Sequence, residues 1–65
     1  MPTLYTTGCS QCNVLKAKLD EKGIKYDLIE DINKMLELGM RAAPILEVDG
    51  ERLTFGNAIK WVNNQ

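Results

Sequence analysis

The only two cysteines of the chain stand three positions apart, in Cys9-Ser10-Gln11-Cys12. Two thiols at this spacing can form a disulfide and can reopen it by exchange with another disulfide. A cysteine at the start of a helix faces unpaired backbone N–H groups and the positive end of the helix dipole, and thiol pKa values in such motifs fall from about 8.5 to roughly 3.5–7.5. We therefore expect Cys9 to attack a substrate disulfide and Cys12 to resolve the resulting mixed disulfide.

Three other interpretations use the same cysteine pair. It could be a permanent structural disulfide or two unreactive thiols, although permanent disulfides are rare in a reducing cytoplasm. Two chains could each supply Cys9 and Cys12 to one iron–sulfur cluster or metal ion, because such clusters are held by four cysteines. A redox-inert adaptor that uses only the fold is the third alternative. Nothing else in the sequence calls for a dimer, so we expect a monomer without metal or cofactor.

The composition excludes most other chemistry. The chain has no histidine, so neither a Ser–His nor a Cys–His catalytic pair can form. Its five glycines stand far apart, and no phosphate-binding loop or dinucleotide fingerprint is present. A net charge of -1 gives no reason to expect nucleic acid or a membrane surface as a partner. Because we find no long apolar run and no secretory signal, we expect a cytoplasmic protein.

The elements that must position the two thiols follow from the hydrophobic pattern. A length of 65 residues predicts one domain over residues 1–65. Thr3–Thr6 is predicted to be a strand, and a helix is predicted to begin at Cys9 and to end at Gly23. The buried stripe of that helix is predicted to consist of Cys12, Leu15 and Leu19.

A second strand, a second helix, a hairpin and a last helix follow. Alternation predicts a strand over Ile24–Glu30, and apolar residues at helical spacing predict a short helix over Ile32–Gly39. Asp49-Gly50 between two β-prone runs predicts a two-residue hairpin turn. Asn57 is predicted to cap the last helix, whose inward residues would be Ala58, Ile59, Trp61 and Val62. The order β-α-β-α-β-β-α predicts an α/β fold whose four-stranded mixed sheet is flanked by three helices, with the first two strands parallel.

This order and two motifs resemble the thioredoxin superfamily, in particular its glutaredoxin-like branch. The motifs are Cys9–Cys12 directly after the first strand and Ala43-Pro44 directly before the third. The resemblance implies a thioredoxin-like, glutaredoxin-type fold and a small dithiol–disulfide oxidoreductase that carries electrons to protein disulfides. It also implies a cis peptide bond before Pro44 and a substrate strand that pairs with the backbone of Ala43.

Further residues would lie near the thiols in such a fold. Gly8 directly precedes Cys9, and Arg41 stands just before the Ala43-Pro44 motif. Arg41 could steer an acidic partner, although a solvated surface arginine is an equally good interpretation. Phe55 and Gly56, just before the last helix, could border the redox site and bind substrate, although half-buried packing explains the aromatic ring equally well.

The segments Cys9–Asn13 and Ala43–Ile45 are most similar to the redoxins that donate electrons to ribonucleotide reductase, the NrdH-redoxins. The resemblance implies a disulfide-containing client protein, with ribonucleotide reductase as a candidate. Many glutathione-dependent relatives carry a basic residue shortly before the first cysteine and a Gly-Gly step with acidic residues before the last helix. This chain has Thr6-Thr7 and Phe55–Ala58 at those places. We therefore expect thioredoxin reductase, rather than glutathione, to be the better reductant.

Overall fold

Four strands and three helices follow one another in the predicted order in a computed structural model that describes all 65 residues. The strands are β1 (Thr3–Tyr5), β2 (Asp27–Ile29), β3 (Ile45–Val48) and β4 (Glu51–Leu53). The helices are α1 (Ser10–Glu21), α2 (Ile32–Glu37) and α3 (Phe55–Asn63). None of the three helices is long and apolar enough to span a membrane.

The strands form one mixed sheet in the order β2-β1-β3-β4. β1 is parallel to β2, as predicted, and antiparallel to β3, which pairs antiparallel with β4. The turn between β3 and β4 has positive φ at both Asp49 and Gly50, 51° and 82°. The Asp-Gly pair was predicted for this reason, because a two-residue hairpin turn needs positive φ at both positions.

Helices cover both faces of the sheet, as predicted, because successive side chains of a strand point to opposite faces. On one face, residues of the two central strands pack with α1 and α3, and this cluster consists of Leu4, Leu15, Leu19, Leu46, Ala58 and Val62. On the other face a smaller cluster lies under α2 and consists of Tyr5, Met35, Met40 and Ile45. Full burial of each large apolar side chain contributes roughly 1.5–3 kcal/mol. The sheet order and the helices on both of its faces confirm the predicted α/β architecture.

The largest differences from the predicted boundaries are in β2 and at the start of α3. The second strand covers only Asp27–Ile29, because the N–H of Ile24 is already bonded to Leu19 O at 3.0 Å to close the end of α1. The prediction that Asn57 caps the last helix is wrong. Thr54 is the N-cap residue, and its carbonyl accepts the first helical bond from Ala58 N–H at 2.8 Å, so Asn57 lies inside the helix.

α2 also differs from its prediction. Of its expected apolar stripe, only Met35 is buried, whereas Ile32 and Leu36 are 56% and 62% exposed. At about 100° per residue, Ile32 and Leu36 lie about 60° and 100° around the helix axis from Met35, so the sheet can cover Met35 and leave both of them exposed. The uncovered side of α2 borders the site described below.

Candidate redox site

Cys9 is the N-cap residue of α1, directly before the first helical residue, Ser10. Cys9 and Cys12 are joined by a disulfide, with their Cα atoms 5.0 Å apart. The backbone N–H of Cys12 donates a hydrogen bond to Cys9 Sγ at 3.1 Å. After reduction this N–H, together with the helix dipole, favours a negative charge on the Cys9 sulfur. The helix start thus supplies the electrostatics that the sequence predicts for an attacking thiol.

The two cysteines differ in their access to solvent. Cys12 is 1% exposed and lies on the buried side of α1, together with Leu15 and Leu19, as predicted. Cys9 is only partly buried. A disulfide approaching from outside the protein can therefore reach Cys9 first, whereas Cys12 is positioned to reach Cys9 from within.

The loop before β3 passes close to the Cys9 sulfur. Cys9 Sγ lies 3.9 Å from the carbonyl oxygen of Ala43. The Ala43–Pro44 peptide bond is cis, as predicted, and Pro44 is buried while Ala43 is partly exposed. Neither the N–H nor the C=O of Ala43 takes part in the backbone–backbone hydrogen bonds of the fold. Both groups are therefore without a backbone partner in the fold.

A groove of about 290 Å³ opens beside Cys9, between α2, the loop that precedes α1 and the loop that precedes β3. We call it the α2 groove. One wall is formed by the α2 residues Ile32, Met35 and Leu36. The rest is formed by Thr7, Cys9, Met40, Arg41, Ala42 and Ala43. The lining is predominantly apolar, and Arg41 is its only charged residue.

Of the residues that the sequence marks as candidates, three line this groove together. They are Cys9, Arg41 and Ala43, and Pro44 follows directly as a buried residue. The side chain of Arg41 is exposed. The structure thus brings the Cys9 sulfur, the backbone of Ala43 and one positive charge to a single opening.

Of the remaining candidates, Cys12 is buried behind Cys9, and Gly8, Phe55 and Gly56 lie outside the groove. Gly8 has a φ of 81° and donates its N–H to Thr6 Oγ1 at 3.0 Å, which shapes the turn that leads into Cys9. Phe55 begins α3 and packs against the cluster of α1 and α3, and Gly56 is exposed. Their contact with substrate remains a prediction.

The sequence did not indicate that α2 forms a wall of the site. The apolar residues of this segment predict only a short helix. The sequence signal for this wall is the high proportion of apolar residues in α2 and in the turn after it. Leu38, at the end of α2, is also 37% exposed. Contiguous exposed apolar surface marks binding sites.

A buried tyrosine lies under the groove. Tyr5 OH donates a hydrogen bond to Glu47 Oε1 at 3.1 Å, and its ring packs with Met35, Met40 and Ile45. Burial, followed by this bond and the negative charge of Glu47, raises the pKa of Tyr5 above its usual value of 10.0. Tyr5 therefore stays neutral at physiological pH and acts as a packing and hydrogen-bonding group, not as a base.

No group of three or more cysteine and carboxylate side chains is placed to hold a metal ion. The two sulfur atoms are the chain's soft ligands, and a four-cysteine cluster would need a second chain. Cys12 is 1% exposed, so Cys9 is the cysteine whose side chain is partly accessible to a second chain. The arrangement is better suited to exchange between Cys9, Cys12 and an incoming disulfide.

Two curated proteins are similar to this chain over most of its length. A thioredoxin of Methanothermobacter thermautotrophicus is 36% identical over 59 residues, which cover 82% of this chain and 77% of the relative. The glutaredoxin-like protein NrdH of Lactococcus lactis subsp. lactis is 38% identical over 56 residues, which cover 75% of this chain and 78% of the relative. No protein-family model matches the chain.

The fold, the Cys9–Cys12 disulfide and these relatives define a small thiol–disulfide oxidoreductase. The chain belongs to the thioredoxin superfamily as a glutaredoxin-like redoxin similar to NrdH. Its redox pair cycles between the dithiol and the disulfide, and its substrates are disulfides.

Proposed function

We propose that Cys9 is the attacking thiol and Cys12 the resolving thiol in the reduction of a client protein's disulfide. The observation that carries this assignment is the hydrogen bond from Cys12 N–H to Cys9 Sγ at 3.1 Å, at the start of α1. The thiolate, not the thiol, is the nucleophile in disulfide exchange. The sulfur that receives this bond is also the more exposed of the two.

The reaction balances in two exchanges. Cys9 Sγ, as a thiolate, attacks one sulfur of the client disulfide, and the other client sulfur leaves as a thiolate that takes up a proton. Cys12 then loses its proton and attacks Cys9 Sγ, which releases the second client sulfur. The client gains two electrons and two protons, and the Cys9–Cys12 disulfide is the oxidised product.

The client would lie across the loop before β3 as an extended segment. The N–H and C=O of Ala43 are free of other backbone bonds, which is what pairing with an added strand requires. With the client cysteine at Cys9, a neighbouring apolar side chain would enter the α2 groove. The positive charge of Arg41 would favour an acidic residue in the same segment.

Ribonucleotide reductase is the client that we propose, because the glutaredoxin-like protein NrdH is among the relatives. One chain supplies both thiols, the free Ala43 backbone and the whole α2 groove, so a monomer suffices. Thioredoxin reductase would return the pair to the dithiol, and no cofactor is needed in this chain. The cytoplasm fits this cycle, since its thiols are kept reduced.

Trapping of the mixed disulfide tests the two roles. We expect the Cys12→Ser variant, mixed with an oxidised client, to accumulate a covalent adduct through Cys9, because no resolving thiol remains. Oxidised ribonucleotide reductase and an unrelated peptide disulfide are the two clients to compare by intact-mass spectrometry.

The matched control is Cys9→Ser, which should form no adduct and should lose all disulfide reduction. An adduct that forms only in Cys9→Ser would show that the roles are reversed. Adducts with the peptide but none with ribonucleotide reductase would contradict the proposed client while leaving the roles intact.

A further inference from the structure

We propose that Arg52 is a positioning residue that holds α2 against the sheet and so sets the shape of the α2 groove. Arg52 lies on β4, outside the redox motif and outside the groove lining. Arg52 Nη1 donates a hydrogen bond to the carbonyl oxygen of Leu38, the C-cap residue of α2, at 2.8 Å. The inference rests on the proposed function, in which the groove receives a client side chain.

The last carbonyls of α2 need partners because a helix end leaves them without intrahelical donors. Gly39, with a φ of 78°, turns the chain so that its N–H bonds to Leu36 O at 3.0 Å and the N–H of Met40 bonds to Met35 O at 2.9 Å. These two bonds are the Schellman pattern of a helix end. The carbonyl of Leu38 lies beyond their reach, and Arg52 is the group that binds it.

Few other contacts hold α2 in place. It is the only hydrogen bond that joins residues 31–40 to the rest of the chain. Met35 is the only buried residue of α2 itself, and Met40 adds a second buried contact after the turn. A guanidinium at the C-terminal end of a helix is also favoured by the helix dipole.

The register of the sheet places Arg52 on the face that α2 covers. Arg52 pairs in register with Glu47 on β3, so the two side chains lie on the same face of the sheet. Glu47 accepts the hydrogen bond of Tyr5, whose ring packs against Met35. Arg52 therefore lies on the same face of the sheet as α2. It binds the C-terminal end of α2, and α2 forms one wall of the groove.

Loss of the Arg52 bond should let the end of α2 move away from the sheet and loosen the α2 groove. Binding of a peptide or protein disulfide would weaken, whereas exchange at Cys9 would continue, because Cys9 is held by α1. The expected signature is a higher KM with an unchanged kcat.

The test compares Arg52→Met, which keeps an apolar stem but has no donor, with Arg52→Lys, which keeps a charged donor. For a peptide disulfide with an apolar residue near its cysteine, we expect the KM of Arg52→Met to rise about three- to tenfold, a change of about 0.6–1.4 kcal/mol, because Arg52 acts on binding only through α2. Arg52→Lys should recover part of this loss. With bis(2-hydroxyethyl) disulfide, which is too small to fill the groove, all variants should match the wild type.

Lys60→Met, which removes a positive charge from the exposed surface of α3, is the control and should leave KM unchanged. Amide hydrogen exchange adds a local readout, in which Gly39 and Met40 should exchange faster in Arg52→Met while the amides of α1 do not. An unchanged KM, or equal losses with both disulfides, would overturn the positioning role.

The groove variant Leu36→Ser separates this proposal from the proposed function. If Leu36→Ser raises the KM and Arg52→Met does not, client binding in the groove stands and the role of Arg52 is wrong. If neither variant raises the KM, both the groove as a binding site and the role of Arg52 are wrong.

Discussion

At the scale of single residues, Tyr5 links the core under α2 to the charges of the hairpin. Its hydroxyl is held by Glu47, and its ring is 6% exposed. The positive charge of Arg52 acts in the opposite direction on the pKa of Tyr5, but burial and Glu47 outweigh it, so the pKa is raised. A neutral hydroxyl in this place costs little, whereas a buried phenolate beside a carboxylate would be strongly unfavourable.

The raised pKa of Tyr5 predicts a loss of stability at alkaline pH. In the unfolded chain Tyr5 ionises near pH 10.0, whereas the folded chain retains the proton to a higher pH. The unfolded state is therefore favoured as the pH rises from about 10 through the folded-state pKa, and the contribution is fully present below that range. Urea unfolding of the oxidised protein should show a steeper fall in the free energy of unfolding from about pH 9 to pH 11 than the Tyr5→Phe variant shows.

Tyr5→Phe should also be less stable than the wild type at neutral pH, by about 1 kcal/mol for the lost hydrogen bond. Parallel pH profiles for the two proteins would contradict the assignment of the alkaline loss to Tyr5.

At the scale of elements, the sequence predicts what depends on local chemistry. The sequence predicts the order of the elements from their hydrophobic patterns. It predicts the Asp49-Gly50 turn and the end of α1 just before Gly23 from residues that readily adopt positive φ. The placement of Cys9 just before α1 follows equally from its neighbours. Most of the redox motif could therefore be predicted from the sequence.

The other features of the site and the fold depend on tertiary contacts, which local sequence patterns do not predict. Ile32 and Leu36 form a wall of the groove because Met35 is the α2 residue that packs against the sheet, which leaves the other two exposed. The bond from Arg52 to Leu38 joins residues 14 positions apart, and neither residue type predicts it. The sequence does not predict the start of α3 at Phe55, because Thr54 is the N-cap residue although its side chain makes no capping hydrogen bond. The preference of asparagine for cap positions therefore gives no information about where this helix begins.

Two glycines allow an element-scale test with opposite expected signs. Gly50 has a φ of 82° in the hairpin turn, and an added Cβ would meet no atom within 4 Å. Gly50→Ala should therefore lower the free energy of unfolding by about 1–2 kcal/mol through backbone strain alone. Gly56 lies in α3 without positive φ and is equally open, so Gly56→Ala should raise it by up to about 1 kcal/mol.

Urea unfolding of the two variants beside the wild type measures both effects. Destabilisation by Gly56→Ala would mean that α3 does not begin at Phe55, because an alanine inside a helix is favoured over glycine. A disulfide-reduction assay of Gly56→Ala also tests the sequence-based expectation that Gly56 contacts substrate.

At the scale of the whole molecule, the redox site opens at the surface of a very small protein. The molecule measures 30 × 24 × 19 Å, and the α2 groove of about 290 Å³ opens beside its reactive sulfur. The groove is lined by apolar side chains with one cation, Arg41, while the chain as a whole carries a net charge of -1. Such a surface suits a protein partner that buries apolar side chains and supplies contacts beyond the groove.

This surface predicts that thioredoxin reductase reduces the Cys9–Cys12 pair more efficiently than glutathione does. Glutathione carries two carboxylates, and Arg41 is the only charged residue that the groove offers to them. One hydrogen bond to a charged group contributes about 1.5–3 kcal/mol, which is offset by the entropy lost when a flexible tripeptide is ordered. A reductase can instead contact the exposed residues around Gly8, Ala42 and Leu36.

The measurement is steady-state NADPH oxidation at equal protein concentration in two coupled systems, thioredoxin reductase alone against glutathione with glutathione reductase. We expect a higher kcat/KM in the first system. Arg41→Met should lower any residual rate with glutathione, since it removes the one cation available to its carboxylates, whereas Lys60→Met should leave that rate unchanged because Lys60 lies on α3, outside the groove. Efficient turnover with glutathione together with none from thioredoxin reductase would mean that the apolar groove binds the tripeptide without charged contacts, and the predicted preference would be wrong.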